Sequence, residues 1–320
     1  MVKDLSYYVY CFTHLKRDNK NGGAPHKPIL LLSLINLFNK GIYNSQEIFI
    51  TAEFVSSFKS NWNMLVFTNH HPIFALPFYH MSSEPFWRLI PNLGCEKWIE
   101  SKSSMRSFGN LTTAVKTAII DSELSLLLLE PENRDVIKIA ILDKYFPESK
   151  FNYGLNGNDN LPSGVILHES SEEYKRKILE LKNSIDENAF QEEVFIRSGI
   201  FKREIPKIYD NTCCISGMRI DATANISMID GCHIVPFSEA YDDTLTNGIA
   251  LSPNLHRAFD RGLISISDEY TVLVKKNFVE NSNSVFNISQ FENQKILLPK
   301  LQSYFPSLEN LNHHRKRFNF

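Results

Sequence analysis

The sequence predicts an α+β protein of two domains, a mainly helical N-terminal domain with a small sheet linked to a C-terminal domain built on a strand, a return strand and a helix. Three observations carry this. Helical spacing of apolar residues dominates the first 147 positions. Between Glu148 and Ser170 the composition changes to Asn, Gly, Pro and Ser, which marks a linker. From Cys213 to Val274, short apolar runs alternate with turn signals around a strongly capped helix. At 320 residues the chain is long enough for two separate cores. The expected boundaries are 1–147 for the first domain, 148–170 for the linker and 171–320 for the second domain with its preceding helix.

Taken in order, Leu5 to Leu15 repeats apolar residues at helical spacing and ends in the Gly22-Gly23 turn. Ala24-Pro25-His26-Lys27-Pro28 then opens a run, Ile29 to Leu37, that is apolar on nearly every side and so reads as a buried helix. His26 and Lys27 stand at its N-terminus, where backbone donors and the helix dipole favour an anion. Taken alone, however, they read as a helix cap and a solvent-facing lysine. Ile48 to Leu65 suits a further helix with Phe54, Phe58 and Trp62 on one side. The aromatic runs Pro72 to Met81 and Glu84 to Ile90 read as two strands hinged at Ser82-Ser83, with prolines at their starts. Leu111 to Ile120, Ser122 to Leu129 and Asn133 to Phe146 read as helices.

In the second half, Glu172 to Ile185 is a charged amphipathic helix with Tyr174, Ile178, Leu181 and Ile185 on one stripe. Asp230-Gly231-Cys232-His233-Ile234-Val235-Pro236 reads as a strand with a histidine near its end. Asn247-Gly248-Ile249-Ala250-Leu251 suits a return strand opened by a turn pair. Ser252 is an N-cap, Pro253 the first helical residue and Gly262 the residue just past the helix end. On that helix His256 and Asp260 are four residues apart, so both project from one face and can hold one metal ion. Leu263 to Ile266 and Thr271 to Val274 form a hairpin around Asp268-Glu269.

His233, Asn247, His256 and the run Phe259-Asp260-Arg261-Gly262 closely resemble the HNH nuclease motif, the ββα-metal finger, over roughly 60 residues. The resemblance implies that His233 is the general base for an attacking water, and that Asn247 holds the hairpin against the helix. It implies that His256 and Asp260 are ligands of one divalent cation. Hydrolysis of a phosphodiester needs a polarising metal, an oriented water and a base that titrates near neutrality, and histidine supplies the last. One position departs from the motif. Where many members place an Asp or second His directly before the base, this chain has Cys232; Asp230, on the same strand face, is the substitute ligand, or water completes the shell. Magnesium and manganese suit the carboxylates, while cobalt and nickel tolerate the thiolate.

A second resemblance covers about residues 5 to 147. Ala-Pro-His-Lys-Pro, then Pro77-Phe78-Tyr79-His80-Met81, then Phe86-Trp87-Arg88-Leu89 are similar to the sulfur-binding domains of phosphorothioate-dependent restriction enzymes. That implies backbone contacts from His26 and Lys27, a pocket for sulfur at Pro77, Phe78, Tyr79 and His80, and a further phosphate contact from Arg106. Sulfur demands less hydrogen bonding than oxygen, so an apolar contact can discriminate it where no base edge is read.

Net charge is −2, so contacts to DNA must come from local clusters such as Lys175-Arg176-Lys177, Lys202-Arg203 and His313 to Arg317. The five cysteines, Cys11, Cys95, Cys213, Cys214 and Cys232, include no Cys-x-x-Cys pair, which argues against a disulfide scaffold and a four-cysteine zinc site. No signal-peptide pattern is present and the longest apolar run is too short for a bilayer, which points to a soluble cytoplasmic protein. The combined expectation is a modification-dependent, type IV-like restriction endonuclease acting on double-stranded, phosphorothioated DNA in defence against phage, as a homodimer. The alternatives are an HNH restriction or nicking enzyme reading unmodified or otherwise modified DNA, and a non-catalytic DNA-binding protein whose motif has decayed at Cys232.

Overall fold

A computed structural model describes residues 3–19, 22–101, 104–155, 170–184, 186–220, 227–281 and 286–320. Most of the expected linker, and Ile185 of the amphipathic stripe, lie outside them. The chain is an α+β protein that divides into two compact units, residues 1–162 with 184–196, and residues 163–183 with 197–320. Ser184–Ile196 therefore groups with the N-terminal elements. Among the described residues no helix is long and apolar enough to cross a membrane.

The first unit contains helices α1 (Leu5–Thr13), α2 (His26–Asn39), strand β1 (Glu47–Ile48), α3 (Ala52–Leu65), α4 (Ala75–His80), β2 (Trp87–Pro91), α5 (Phe108–Ala114), β3 (Val115–Ile120), α6 (Ser122–Leu129), α7 (Pro131–Tyr145) and α8 (Lys150–Leu155). Every residue of α2 from Lys27 to Phe38 is buried, as an all-round apolar helix must be. Its two polar interior residues are satisfied: Asn61 Nδ2 donates to Ser33 Oγ at 2.9 Å, and the Tyr153 hydroxyl donates to Asn36 Oδ1 at 2.8 Å.

Two expectations fail here. Residues 72–81 are not a strand; Ala75–His80 is a helical turn. Phe74 and Phe78, four apart, stack at 5.6 Å and meet Phe54 edge-on, a packing that helical spacing provides and strand alternation does not. Leu111–Ile120 is not one helix either. It stops at Ala114, and Val115–Ile120 becomes the central strand of an antiparallel sheet ordered β1-β3-β2, with Leu89 opposite Ala118 and Glu47 opposite Ile119. The β-branched residues of that run suit a pleated surface more than a helix.

The helix α9 (Ser171–Lys182) belongs to the second unit, and the next helix, α10 (Glu187–Ile208), contains the division at Ile196. The second unit continues with β4 (Asp230–His233), α11 (Phe237–Ala240), β5 (Gly248–Leu251), α12 (Pro253–Asp260), β6 (Ile264–Ile266), β7 (Val272–Val274) and α13 (Leu308–Phe318). The strands form two antiparallel pairs, β4-β5 and β6-β7. Its core joins Phe201 and Ile205 of α10 to Ile249, Leu251, Leu255 and Phe259. Burial of each such side chain is worth roughly 1.5–3 kcal/mol. Cys213 and Cys214 are fully buried in this core, and the Cys214 amide donates to Ala250 O at 2.8 Å beside β5. All five cysteines are free.

Candidate functional site

The β4-β5 pairing sets Cys232 opposite Ile249 and His233 opposite Gly248. Gly248 has ordinary extended backbone, so its lack of a side chain serves packing and not a turn. A Cβ there would stand 2.2 Å from Ile205 Cδ1 and 2.9 Å from Phe201 Cε2. The close approach lets the Phe201 ring lie flat on His233, with centroids 3.9 Å apart and planes 3° from parallel. Gly262, by contrast, needs its freedom: it closes α12 with φ of +64° and is covered by Phe318.

Asn247 is fully buried and its side chain makes three hydrogen bonds. Its Nδ2 donates to Val235 O and to Asp242 O, both at 2.9 Å, and its Oδ1 accepts from the Val235 amide at 3.0 Å. One side chain thus ties the end of the β4 strand to the loop that returns to β5. That loop carries a pair of buried acids. Asp243 Oδ1 lies 2.6 Å from His233 Nε2, and its Oδ2 accepts from the Tyr174 hydroxyl at 3.1 Å. Asp242 accepts from the Thr244 amide at 2.9 Å and from the Ser171 hydroxyl at 2.6 Å. Burial, then the Asp243 charge, pushes the Tyr174 phenol above its ordinary range, so it remains a donor.

Across the hairpin, α12 presents His256 and Asp260 on one face. His256 Nε2 lies 3.4 Å from Asp260 Oδ2, and Cys232 Sγ lies 3.9 Å from Asp260 Oδ1. Donor atoms of Cys232, His256 and Asp260 all fall within 4.8 Å of one another. That compact sulfur, nitrogen and oxygen set fits one divalent cation. Asp230 sits on the other side of the imidazole, 3.1 Å from His256 Nδ1, outside the three-donor cluster. This is where an outer carboxylate orients a ligating histidine. Burial, followed by the nearby Asp260 carboxylate, pushes the Cys232 thiol well above its ordinary range.

His233, His256 and Asp260 line one pocket of about 350 Å³, with Ile234, Phe237 and Arg317. Arg317 pairs with Glu239 on α11. The sequence places Tyr174 only on the apolar stripe of its helix and gives Asp243 and Phe201 no role. The only signal was the adjacent acidic pair Asp242-Asp243 between a strand histidine and a buried asparagine.

In the first unit, a pocket of about 510 Å³ brings together His26, Lys27, Pro77 and His80 with Lys16, Arg17, His70 and Leu76. The other named residues lie elsewhere. Phe78 is fully buried against Phe54, Phe74 and Trp87, the Tyr79 hydroxyl donates to Ile99 O, and Arg106 is exposed in a short turn. Lys27 does not face solvent: it is buried and paired with buried Glu84, with a further bond to Ser83 Oγ at 2.8 Å. His26 does not cap its helix, whose N-cap is Pro25. Its Nε2–H donates to His71 O at 2.9 Å, and burial lowers its pKa to about 4, so the ring is neutral. Lys16 and Arg17 also line this pocket; Lys16 Nζ donates to Ser83 O at 3.1 Å, and Arg17 Nη1 donates to Ala24 O at 3.0 Å with its guanidinium braced over the Tyr145 ring at 4.3 Å.

Residues 213–267 match the family of HNH endonucleases. Among solved structures, a modification dependent TagI restriction endonuclease aligns at 19% identity with a TM-score of 0.28, covering 38% of this chain and 38% of that one. No curated protein matches the chain. The second unit carries an HNH endonuclease domain.

Proposed function

We propose that this chain is a metal-dependent DNA endonuclease of the modification-dependent restriction type, which hydrolyses phosphodiester bonds at the pocket of its second unit. The observation that carries the reading is that the donors of Cys232, His256 and Asp260 lie within 4.8 Å of one another and that His256 and Asp260 share a pocket with His233, all inside the residues that match HNH endonucleases. A divalent cation held by those three side chains would polarise the phosphate and stabilise charge on the leaving 3′-oxygen. His233 takes the proton of the attacking water as its oxygen bonds to phosphorus and the bond to the 3′-oxygen breaks. Asn247 keeps β4 and the Asp242-Asp243 loop in register so that the imidazole does not drift. Arg317 faces the same pocket and anchors a neighbouring phosphate oxygen.

The first unit supplies target selection. Lys16 and Arg17 at the rim of its pocket hold the DNA backbone, and Leu76 and Pro77 present an apolar wall to a modified linkage, of which a phosphorothioate is the best match. One HNH centre cuts one strand, so a double-strand break takes two copies of the chain. Such an enzyme serves defence against foreign DNA.

The test is cleavage of matched plasmids, phosphorothioated, methylated and unmodified, with magnesium, manganese, cobalt or nickel. Cleavage confined to phosphorothioated DNA supports both parts of the reading. Cleavage of plain or methylated DNA keeps the nuclease and removes the sulfur pocket. No cleavage of any substrate with any cation overturns the nuclease assignment.

A further inference from the structure

We propose that Asp243 and Tyr174 are positioning residues for His233, fixing its proton on Nε2 and leaving Nδ1 as the atom that accepts the proton of the attacking water. This rests on His233 being the base. A carboxylate only accepts hydrogen bonds, so the 2.6 Å contact between Asp243 Oδ1 and His233 Nε2 requires the hydrogen to be on Nε2. A neutral imidazole protonated there has its lone pair on Nδ1. The ring cannot turn over cheaply, because that would bring a carbon to the place of Nε2. Phe201 covers one face at 3.9 Å, and a flip about the ring axis would break the Asp243 bond.

Asp243 is itself held. It is fully buried, its second oxygen accepts from Tyr174, and the residue before it is pinned by the Asn247 side chain. Tyr174 is also fully buried, under the Arg197 guanidinium at 4.6 Å, which limits its freedom to turn away. The chain of contacts Tyr174–Asp243–His233 therefore ends at the pocket shared with His256 and Asp260. When Nδ1 takes the water proton, the new imidazolium faces a carboxylate already in place, and the charge that appears is met without rearrangement. Helix α9, far from the HNH motif in sequence, thus supplies a working part of the nuclease centre.

The experiment uses the full chain with Asp243→Asn, Tyr174→Phe and His233→Ala, manganese as the cation and the plasmid that the wild type cuts. Single-turnover cleavage is measured at saturating DNA, manganese affinity by calorimetry, and the ring tautomer by long-range 1H–15N correlation, with His233→Ala assigning the signal. In the wild type the His233 ring is expected in the Nε2–H form. Asp243→Asn is expected to lower the cleavage rate by about 10–100-fold and to mix the two tautomers, with manganese affinity unchanged. Tyr174→Phe, which removes only a hydroxyl and so serves if Asp243→Asn fails to fold, is expected to lower the rate by about 2–10-fold with the same shift of tautomer in part. An Nδ1–H ring in the wild type overturns the inference. So does wild-type cleavage by both Asp243→Asn and Tyr174→Phe while His233→Ala is inactive. If His233→Ala cleaves normally, the base assignment itself fails, a result separate from either of these.

Discussion

Two histidines of the second unit lie face to face on a phenylalanine, yet the surroundings give them opposite characters. His233 stacks on Phe201 at 3.9 Å, keeps 19% of its side chain exposed, and has a carboxylate on one nitrogen and the pocket on its other side. His314 stacks on Phe259 at 3.7 Å and is 2% exposed, with Ser265 Oγ 2.8 Å from Nδ1 and Phe259 O 3.1 Å from Nε2. Burial lowers the His314 pKa to about 4, so it is a neutral group with both nitrogens occupied, although it borders the same pocket as His233. An aromatic bed is not what makes a histidine a base. On the reading proposed above, what suits His233 to act as a base is the Asp243 carboxylate on Nε2 together with its place on the pocket.

The largest contrast should come from deleting each ring. His233→Ala is expected to lower single-turnover cleavage by roughly 10²–10⁴-fold, with DNA and metal still bound; normal turnover would place the base elsewhere. His256→Ala is expected to weaken manganese binding by at least about 100-fold, whereas Asp230→Ala, if that carboxylate only orients His256, should cost about 10-fold. Equal losses measured by calorimetry would make Asp230 a direct ligand.

His26 and Lys27 extend the comparison to the first unit. Removing one partner of a buried ion pair leaves the other charge stranded, so Lys27→Ala is expected to cost about 3–5 kcal/mol in denaturant unfolding. A loss of DNA affinity at unchanged stability would instead make Lys27 a backbone contact. Smaller again, His314→Ala should cost roughly 1–3 kcal/mol in denaturant unfolding by leaving Ser265 Oγ and Phe259 O without their partner.

The mildest test is pH. Both His314 and His26 are held neutral to about pH 4, against an ordinary value of 6.5. Between those values the unfolded chain binds a proton at each site that the folded chain refuses. Stability from these groups is therefore present above about pH 6.5 and is lost as pH falls toward 4, by up to about 3 kcal/mol for each. Urea midpoints at pH 7 and pH 5 read this directly, and His314→Ala should flatten the slope.

Much of the candidate site was legible because its parts are local. His256 and Asp260 share a face by helical spacing alone, Ser252, Pro253 and Gly262 bracket their helix, and the strand before it shows its histidine. The failures in the first unit have a different origin. Pro72 to Met81 and Leu111 to Ile120 are apolar on both periods, so neither strand nor helix spacing wins until neighbours decide. Phe54 and Trp87 reward a helix at Phe74–Phe78, and the sheet edge offered by β1 and β2 draws Val115–Ile120 into a strand.

By itself, then, the sequence determined the α+β class and the hairpin and helix that carry His233, His256 and Asp260, since each element follows from spacing within a few residues. Only the tertiary structure decided that Lys27 is spent on Glu84, that Cys232 and not Asp230 completes the donor cluster, and that Asp243 and Tyr174 stand behind His233. Those contacts join positions up to 69 residues apart. Their energies depend on burial and on which atom meets which, and neither is written in the local pattern of a chain.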